Sequence, residues 1–317
     1  MKDLKSTYLE IFNSIDFEKI KDHPNILIAA NFWEADRFQA AKTCYKFMRA
    51  IDDLIDDHKA AKQTITADEK EVFLADVDRW LKMIYNGNSQ NPLQTELTDT
   101  INKYHIPAWP LEAFARSMIF DINNDGFSTL EEFIGYSGGA SVAPAAIFVH
   151  LAGLRKDVNG YLPPVFDVKE AARACAIFSY LVHIIRDFVK DQLNNLNYFA
   201  DDMLVRNGLT RNDLTLIARG SEVTDGFRKM IAEYLQLAEE YRVKTKHCIE
   251  NIWPFLEPRY QLSLEIIFEL YQMVFERIDP VNGTFSTREL NPTPAESAER
   301  VLKTILSSKT LQNSESR

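Results

Sequence analysis

Two short acidic clusters are the residues best equipped for chemistry. One lies in Arg49-Ala50-Ile51-Asp52-Asp53-Leu54-Ile55-Asp56-Asp57, the other in His183-Ile184-Ile185-Arg186-Asp187-Phe188-Val189-Lys190-Asp191. In each, two aspartates stand four residues apart: Asp52 with Asp56, and Asp187 with Asp191. On a helix that spacing puts both carboxylates on one face, with Cβ atoms about 5–6 Å apart. Like charges so placed destabilise a helix, and Asp is a poor helix former besides. A divalent cation reverses the sign by supplying countercharge. Mg²⁺ takes carboxylate oxygens, keeps several waters and shares its shell with phosphate-bearing substrates. One such pair alone would read as a solvated helix face, with Asp187 paired to Lys190. Two pairs, each inside an apolar helix and each beside an arginine (Arg49, Arg186), favour a metal clamp.

If the two helices face each other across a cavity, Asp52, Asp56, Asp187 and Asp191 can hold two or three Mg²⁺ ions, with Asp53 a further ligand or a supporting group. Those ions would neutralise a diphosphate and make it a leaving group. Arg49, and less directly Arg186, would meet its oxygens. Loss of diphosphate from an allylic carbon leaves a carbocation, which needs a dry pocket with aromatic faces. Phe32, Phe47, Tyr136, Tyr180 and Phe188 are candidates for that lining, and each would serve equally as an ordinary core residue. His183, beside Tyr180 and Asp187, is a candidate acid, base or substrate contact, or a satisfied core histidine.

The elements that must position these groups are helices. Apolar residues recur at three- and four-residue steps over 31–62, 72–85, 111–122, 143–154, 168–193, 222–252, 262–278 and 294–306. Asn86-Gly87-Asn88 is a breaker after the second of these, and Pro107 and Pro110 precede the third. Strand-type alternation is scarce, and neither internal repeats nor Ser/Gly-rich linkers stand out. The expectation is one all-α domain over 1–317, with a polar, frayed tail from about 308.

Composition narrows the function classes. The chain has 317 residues with 46% hydrophobic and 26% charged, an ordinary globular balance. Its net charge of -10 argues against a nucleic-acid partner, which needs a clustered basic face. Three widely spaced cysteines with no C-x-x-C pair point to a reducing, cytoplasmic setting. The first residues hold no apolar signal core, and no window reads as the ~20 apolar residues of a membrane span. Contact with a membrane is therefore expected at the surface at most.

The acidic clusters resemble those of the squalene/phytoene synthase family, which joins two prenyl diphosphates head to head. The family pattern Y-x-F-x-R-x-x-D-D-x-x-D is met by Tyr45, Phe47, Arg49, Asp52, Asp53 and Asp56. The pattern N-I-x-R-D-x-x-x-D is met by Ile184, Arg186, Asp187 and Asp191, with His183 in place of the Asn. Between them, Phe120-Asp121-Ile122, Thr129-Leu130-Glu131-Glu132-Phe133 and Tyr136 are similar to the family's intervening stretch. The resemblance runs from about Asn31 to Leu204. It implies an all-α isoprenoid-synthase bundle around a central cavity, Mg²⁺ dependence, farnesyl or geranylgeranyl diphosphate as substrate, and site roles for Tyr45 and Tyr136. It implies NADPH only if the product is squalene, and no nucleotide fingerprint is present. The chain departs from the pattern after Tyr136, where Ser137-Gly138-Gly139-Ala140-Ser141-Val142-Ala143-Pro144 replaces C-x-x-V-A-G-x-V-G. It departs again at Tyr180, where the family has Gln, and at Leu196, where a basic residue precedes the Tyr198 position. The ionising machinery is thus intact while groups that position a second prenyl chain are altered. Two rivals follow: a terpene synthase using the same clamp on one substrate, and a non-catalytic relative serving in binding or assembly. The oligomeric state is open.

One further motif competes for the 121–132 segment. Asp121-x-Asn123-x-Asp125-Gly126-x-Ser128-x-x-x-Glu132 fits an EF-hand loop, but Ser128 is polar where an apolar residue is usual and no second hand accompanies it. A helix-connecting turn capped by Ser128 or Thr129 is the preferred reading.

Overall fold

The computed structural model describes residues 4–22, 25–62, 64–86, 92–158, 160–308 and 311, with backbone only at 20–22, 62 and 86. Helices α1 (Leu4–Ser14), α2 (Asn25–Ala30), α3 (Ala35–Lys62), α4 (Ala67–Asn86), α5 (Pro92–Tyr104), α6 (Ala108–Asn123), α7 (Leu130–Ala140) and α8 (Val142–Gly153) form the first half. A short antiparallel hairpin, β1 (Arg155–Asp157) and β2 (Gly160–Leu162), follows. Then come α9 (Val168–Arg186), α10 (Phe188–Leu193), α11 (Asp201–Arg206), α12 (Arg211–Ala218), α13 (Asp225–Ile252), α14 (Pro258–Phe275), α15 (Thr287–Leu290) and α16 (Pro294–Ser307). The protein is all-α, as the periodicity predicts.

Local chemistry accounts for the helix ends. The Thr129 and Thr224 side chains accept from backbone N–H groups three residues on, Asp167 accepts from Lys169 and Glu170, and Thr293 with Glu296 forms a full capping box. Pro110 falls in the first turn of α6, where its missing N–H has no helical acceptor to lose.

Three expectations are corrected. The helix predicted over 31–62 begins only at Ala35, because residues 31–34 turn between α2 and α3. Asn31 there folds its amide back onto the Leu27 carbonyl, while Trp33 turns inward to donate to Ser263 Oγ at 2.9 Å. The helix predicted over 168–193 is interrupted at Asp187 (φ -93°, ψ 7°), which ends α9 and starts α10. And one apolar stretch does reach membrane-spanning length: Leu130–Gly153 runs 24 residues and holds an 18-residue window of mean hydropathy 1.2. It breaks at Ser141 into α7 and α8, and 56% of that window is buried inside the protein. The Gly87 and Asn88 positions of the predicted breaker, and most of the predicted frayed tail, lie outside the described residues.

The buried apolar side chains gather in two clusters. One is built around α2 to α6, α8 and α14, the other around α7, α9 and α13. Ala145, Ile249 and Tyr271 pack against both. α9 lies between α8 and α13, and α3 rests on α5, α6 and α8. The cavity described next opens along this seam.

Candidate active site

α3 carries Tyr45, Arg49, Asp52 and Asp56 at steps of four, three and four, so they form one stripe. The stripe faces a cavity of about 470 Å³. Tyr180, His183, Asp187 and Asp191 form the matching stripe on α9 and α10 and face the same cavity. The interruption at Asp187 does not spoil the register. Asp187 N–H donates to the His183 carbonyl at 2.9 Å and Asp191 N–H to the Asp187 carbonyl at 2.8 Å, so helical bonding continues through it. Tyr136 of α7 lines the cavity too. The acidic end is the mouth, where Asp57 and Lys190 are exposed. The buried side chains of Leu27, Val149, Leu151 and Leu264 add an apolar part to the lining.

Of the expected site residues, Tyr45, Arg49, Asp52, Asp53, Asp56, Tyr136, His183, Asp187 and Asp191 thus share one cavity. Phe32 and Arg186 do not line it. Phe32 is fully buried in the turn before α3, edge-on to Tyr8 with centroids 6.2 Å apart. Arg186 grips Asp187 instead of facing the cavity, its Nε and Nη2 donating to the two carboxylate oxygens at 2.7 and 2.8 Å. Among the candidate aromatics, Phe47 stacks on Trp80 (5.2 Å) and Phe188 packs on Phe227 (4.9 Å), so both belong to the core. Tyr136 and Tyr180 are the two that line the cavity.

The mouth is electrostatically uneven. Arg49 donates to both Asp52 and Asp53. Burial raises the Asp52 carboxyl above its usual range, with Arg49 and His183 opposing. Asp56 and Asp191 are pushed up to about 8, first by burial and then by neighbouring carboxylates. Burial acts on Asp187 in the same sense. There His183, whose Nε2 lies 2.7 Å away, and the Arg186 guanidinium outweigh it and hold the group well below the carboxylate range. Asp187 is therefore a firmly fixed anion, while Asp56 and Asp191 are half-buried carboxylates with no side-chain donor or ion-pair partner among the described residues. That is a donor set a hard cation suits. Among the described residues no three acidic, His or Cys side chains converge on one point. A cation here would need oxygens from a ligand as well as from the two helices.

Asp121, unmarked by any pairing in the sequence, belongs to this neighbourhood. It accepts from the Tyr136 hydroxyl at 2.6 Å, and burial lifts it to about 7 against the opposing effects of that bond and of Lys59. Its place in α6 removes it from an EF-hand loop, and Glu132 is spent on the Ser128 N–H at 2.6 Å. Thr129, not Ser128, caps α7. Tyr180 stands 6.4 Å from Tyr136 and 6.1 Å from Tyr198 between centroids, with Phe133 behind it at 5.3 Å. Burial holds all three tyrosine hydroxyls well above their ordinary pKa, so they stay neutral. The result is an aromatic wall just inside the acidic mouth. Leu196 and Lys190 also reach the mouth.

Residues 22–296 match the family described as Squalene/phytoene synthase. Phytoene synthase 2, chloroplastic, of Solanum lycopersicum is 24% identical over 229 residues, 70% of this chain and 69% of that protein. The Zea mays phytoene synthase 2 is 25% identical over 70% of this chain and 53% of its own length. Among solved structures, a dehydrosqualene synthase in complex with ligand superposes with a TM-score of 0.66 at 15% identity, covering 95% of this chain and 97% of that one. Squalene synthase HpnC from Alicyclobacillus acidocaldarius gives 0.64 at 17% identity, over 84% and 96% of the two chains. With the family match running through both acidic helices and nearly the whole bundle, the chain belongs to the squalene/phytoene synthase family.

Proposed function

We propose that this protein is a Mg²⁺-dependent prenyltransferase that ionises one allylic prenyl diphosphate, of the farnesyl or geranylgeranyl class, and couples it head to head with a second. The observation that carries the reading is the meeting of four aspartates, two from α3 and two from α9–α10, at the mouth of one apolar cavity. Asp52, Asp56, Asp187 and Asp191 would hold the metal, which when bound supplies the countercharge that lets diphosphate leave. Arg49 binds diphosphate oxygens in its fork geometry. Arg186 and His183 keep Asp187 ionised and aimed. The tyrosine wall offers π faces to the developing allylic cation, and the buried leucine and valine side chains of the lining keep water from it.

The test is to give purified protein farnesyl or geranylgeranyl diphosphate with Mg²⁺, with and without NADPH, and to read pyrophosphate release and product mass. Coupling doubles the carbon count. Asp52→Asn and Asp191→Asn are each expected to lower kcat by about 100-fold or more. No pyrophosphate from either substrate would end the reading. A second reading, cyclisation or hydrolysis of a single prenyl cation, is favoured by Tyr180 and Leu196, which line the cavity where the family pattern has polar or basic groups. An unchanged carbon count in the product would select it. The proposed setting is the cytoplasm with surface contact to membrane, where a C30 or C40 hydrocarbon can be received. Absence from liposome pellets even after turnover would count against that.

A further inference from the structure

Three basic side chains line the cavity among the described residues: Arg49, His183 and Lys190. Arg49 is held by Asp52 and Asp53, and His183 by Asp187. Lys190 has no ion pair or side-chain hydrogen bond among the described residues, and its charge acts only through space on Asp191. It sits on the exposed side of α10, in the same turn as Asp187 and Asp191, with Asn194 and the apolar Leu196 beside it at the mouth. Ions held by the carboxylates would occupy only some of a diphosphate's oxygens, leaving others turned toward solvent at the rim. A lysine there, with a compact charge on a flexible four-carbon stem, can follow those oxygens without a fixed partner. The neighbouring Leu196 cannot contribute charge. We infer that Lys190 is a diphosphate-binding residue of this site, supplying from α10 the positive charge that the loop at Leu196 lacks. The inference rests on the reading of the cavity as a prenyl diphosphate site.

The experiment uses the full chain with Mg²⁺ and inorganic pyrophosphate in a calorimeter, alongside steady-state kinetics with farnesyl diphosphate. Lys190→Ala is expected to weaken pyrophosphate about tenfold and to raise KM more than it lowers kcat. Lys190→Arg is expected to keep most of the affinity. The double variant Lys190→Ala/Leu196→Arg is expected to recover much of what the single one loses, because the charge returns to the same rim. A merely structural lysine would show neither recovery nor the KM-weighted effect, and Lys190 is exposed, so folding is unaffected. Wild-type affinity in Lys190→Ala overturns the inference and leaves the functional reading standing. Failure of the wild-type protein itself to bind pyrophosphate with Mg²⁺ overturns both.

Discussion

Asp56 and Asp191 each face other carboxylates with no donor to hold their charge. Their pKa values near 8 in the metal-free fold lie above those of the unfolded chain, so folding takes up protons between roughly pH 4 and pH 8. The stabilising state is the protonated one. It is fully present below about pH 4 and lost as pH rises through about 8. Metal-free protein in chelator is therefore expected to lose thermal stability as pH is raised from 5.5 to 8.5, and Asp56→Asn to flatten that slope. A midpoint that rises over this range would contradict it. These two residues were legible in the sequence because a four-residue acidic spacing inside apolar helices has few uses. Asp121 entered the sequence reading only through the resemblance and the EF-hand pattern, and its place at this site was not legible, since its bond to Tyr136 joins α6 to α7 through space. Nor was the difference between Arg49, which points to the cavity, and Arg186, which turns to Asp187. Both stand beside an acid, and only the packing of α9 decides.

Among the elements, the α6–α7 contact shows how tightly the wall behind the tyrosines is set. A Cβ on Gly139 would lie 2.2 Å from the Ala113 carbonyl oxygen and 2.0 Å from Ser117 Oγ, whereas one on Gly138 meets nothing within 4 Å. Gly139→Ala should therefore cost about 1–3 kcal/mol by forcing the helices apart, and Gly138→Ala should gain about 0.5–1 kcal/mol from helix propensity alone. Chemical denaturation of the pair measures the contrast, and equal effects would refute the contact. Gly138 and Gly139 lie in the interior of α7, and the break between α7 and α8 falls at Ser141. Periodicity gives the number and extent of the long helices well, since it reports the buried face directly. It missed the turn at 31–34, where Trp33 is apolar in type but is turned inward to Ser263 off the helical stripe.

The whole molecule keeps two hydrophobic clusters and leaves a hollow between them. A hollow forgoes the contacts its lining would make if filled, so part of the stability of a solid core is absent. Ala145→Phe, which grows a side chain into the seam, is expected to abolish turnover of farnesyl diphosphate while leaving the thermal midpoint unchanged or higher. Lost activity together with a lower midpoint would mean that the site has no room to fill. The same seam bears on how the protein breathes. Ala145, Ile249 and Tyr271 are shared by both clusters, so amide exchange along α8, α13 and α14 should report the two halves parting. A guest lying across the hollow touches both halves at once and ties their fluctuations together. Exchange along those three helices should then slow together as the guest binds, and quicken together as it departs.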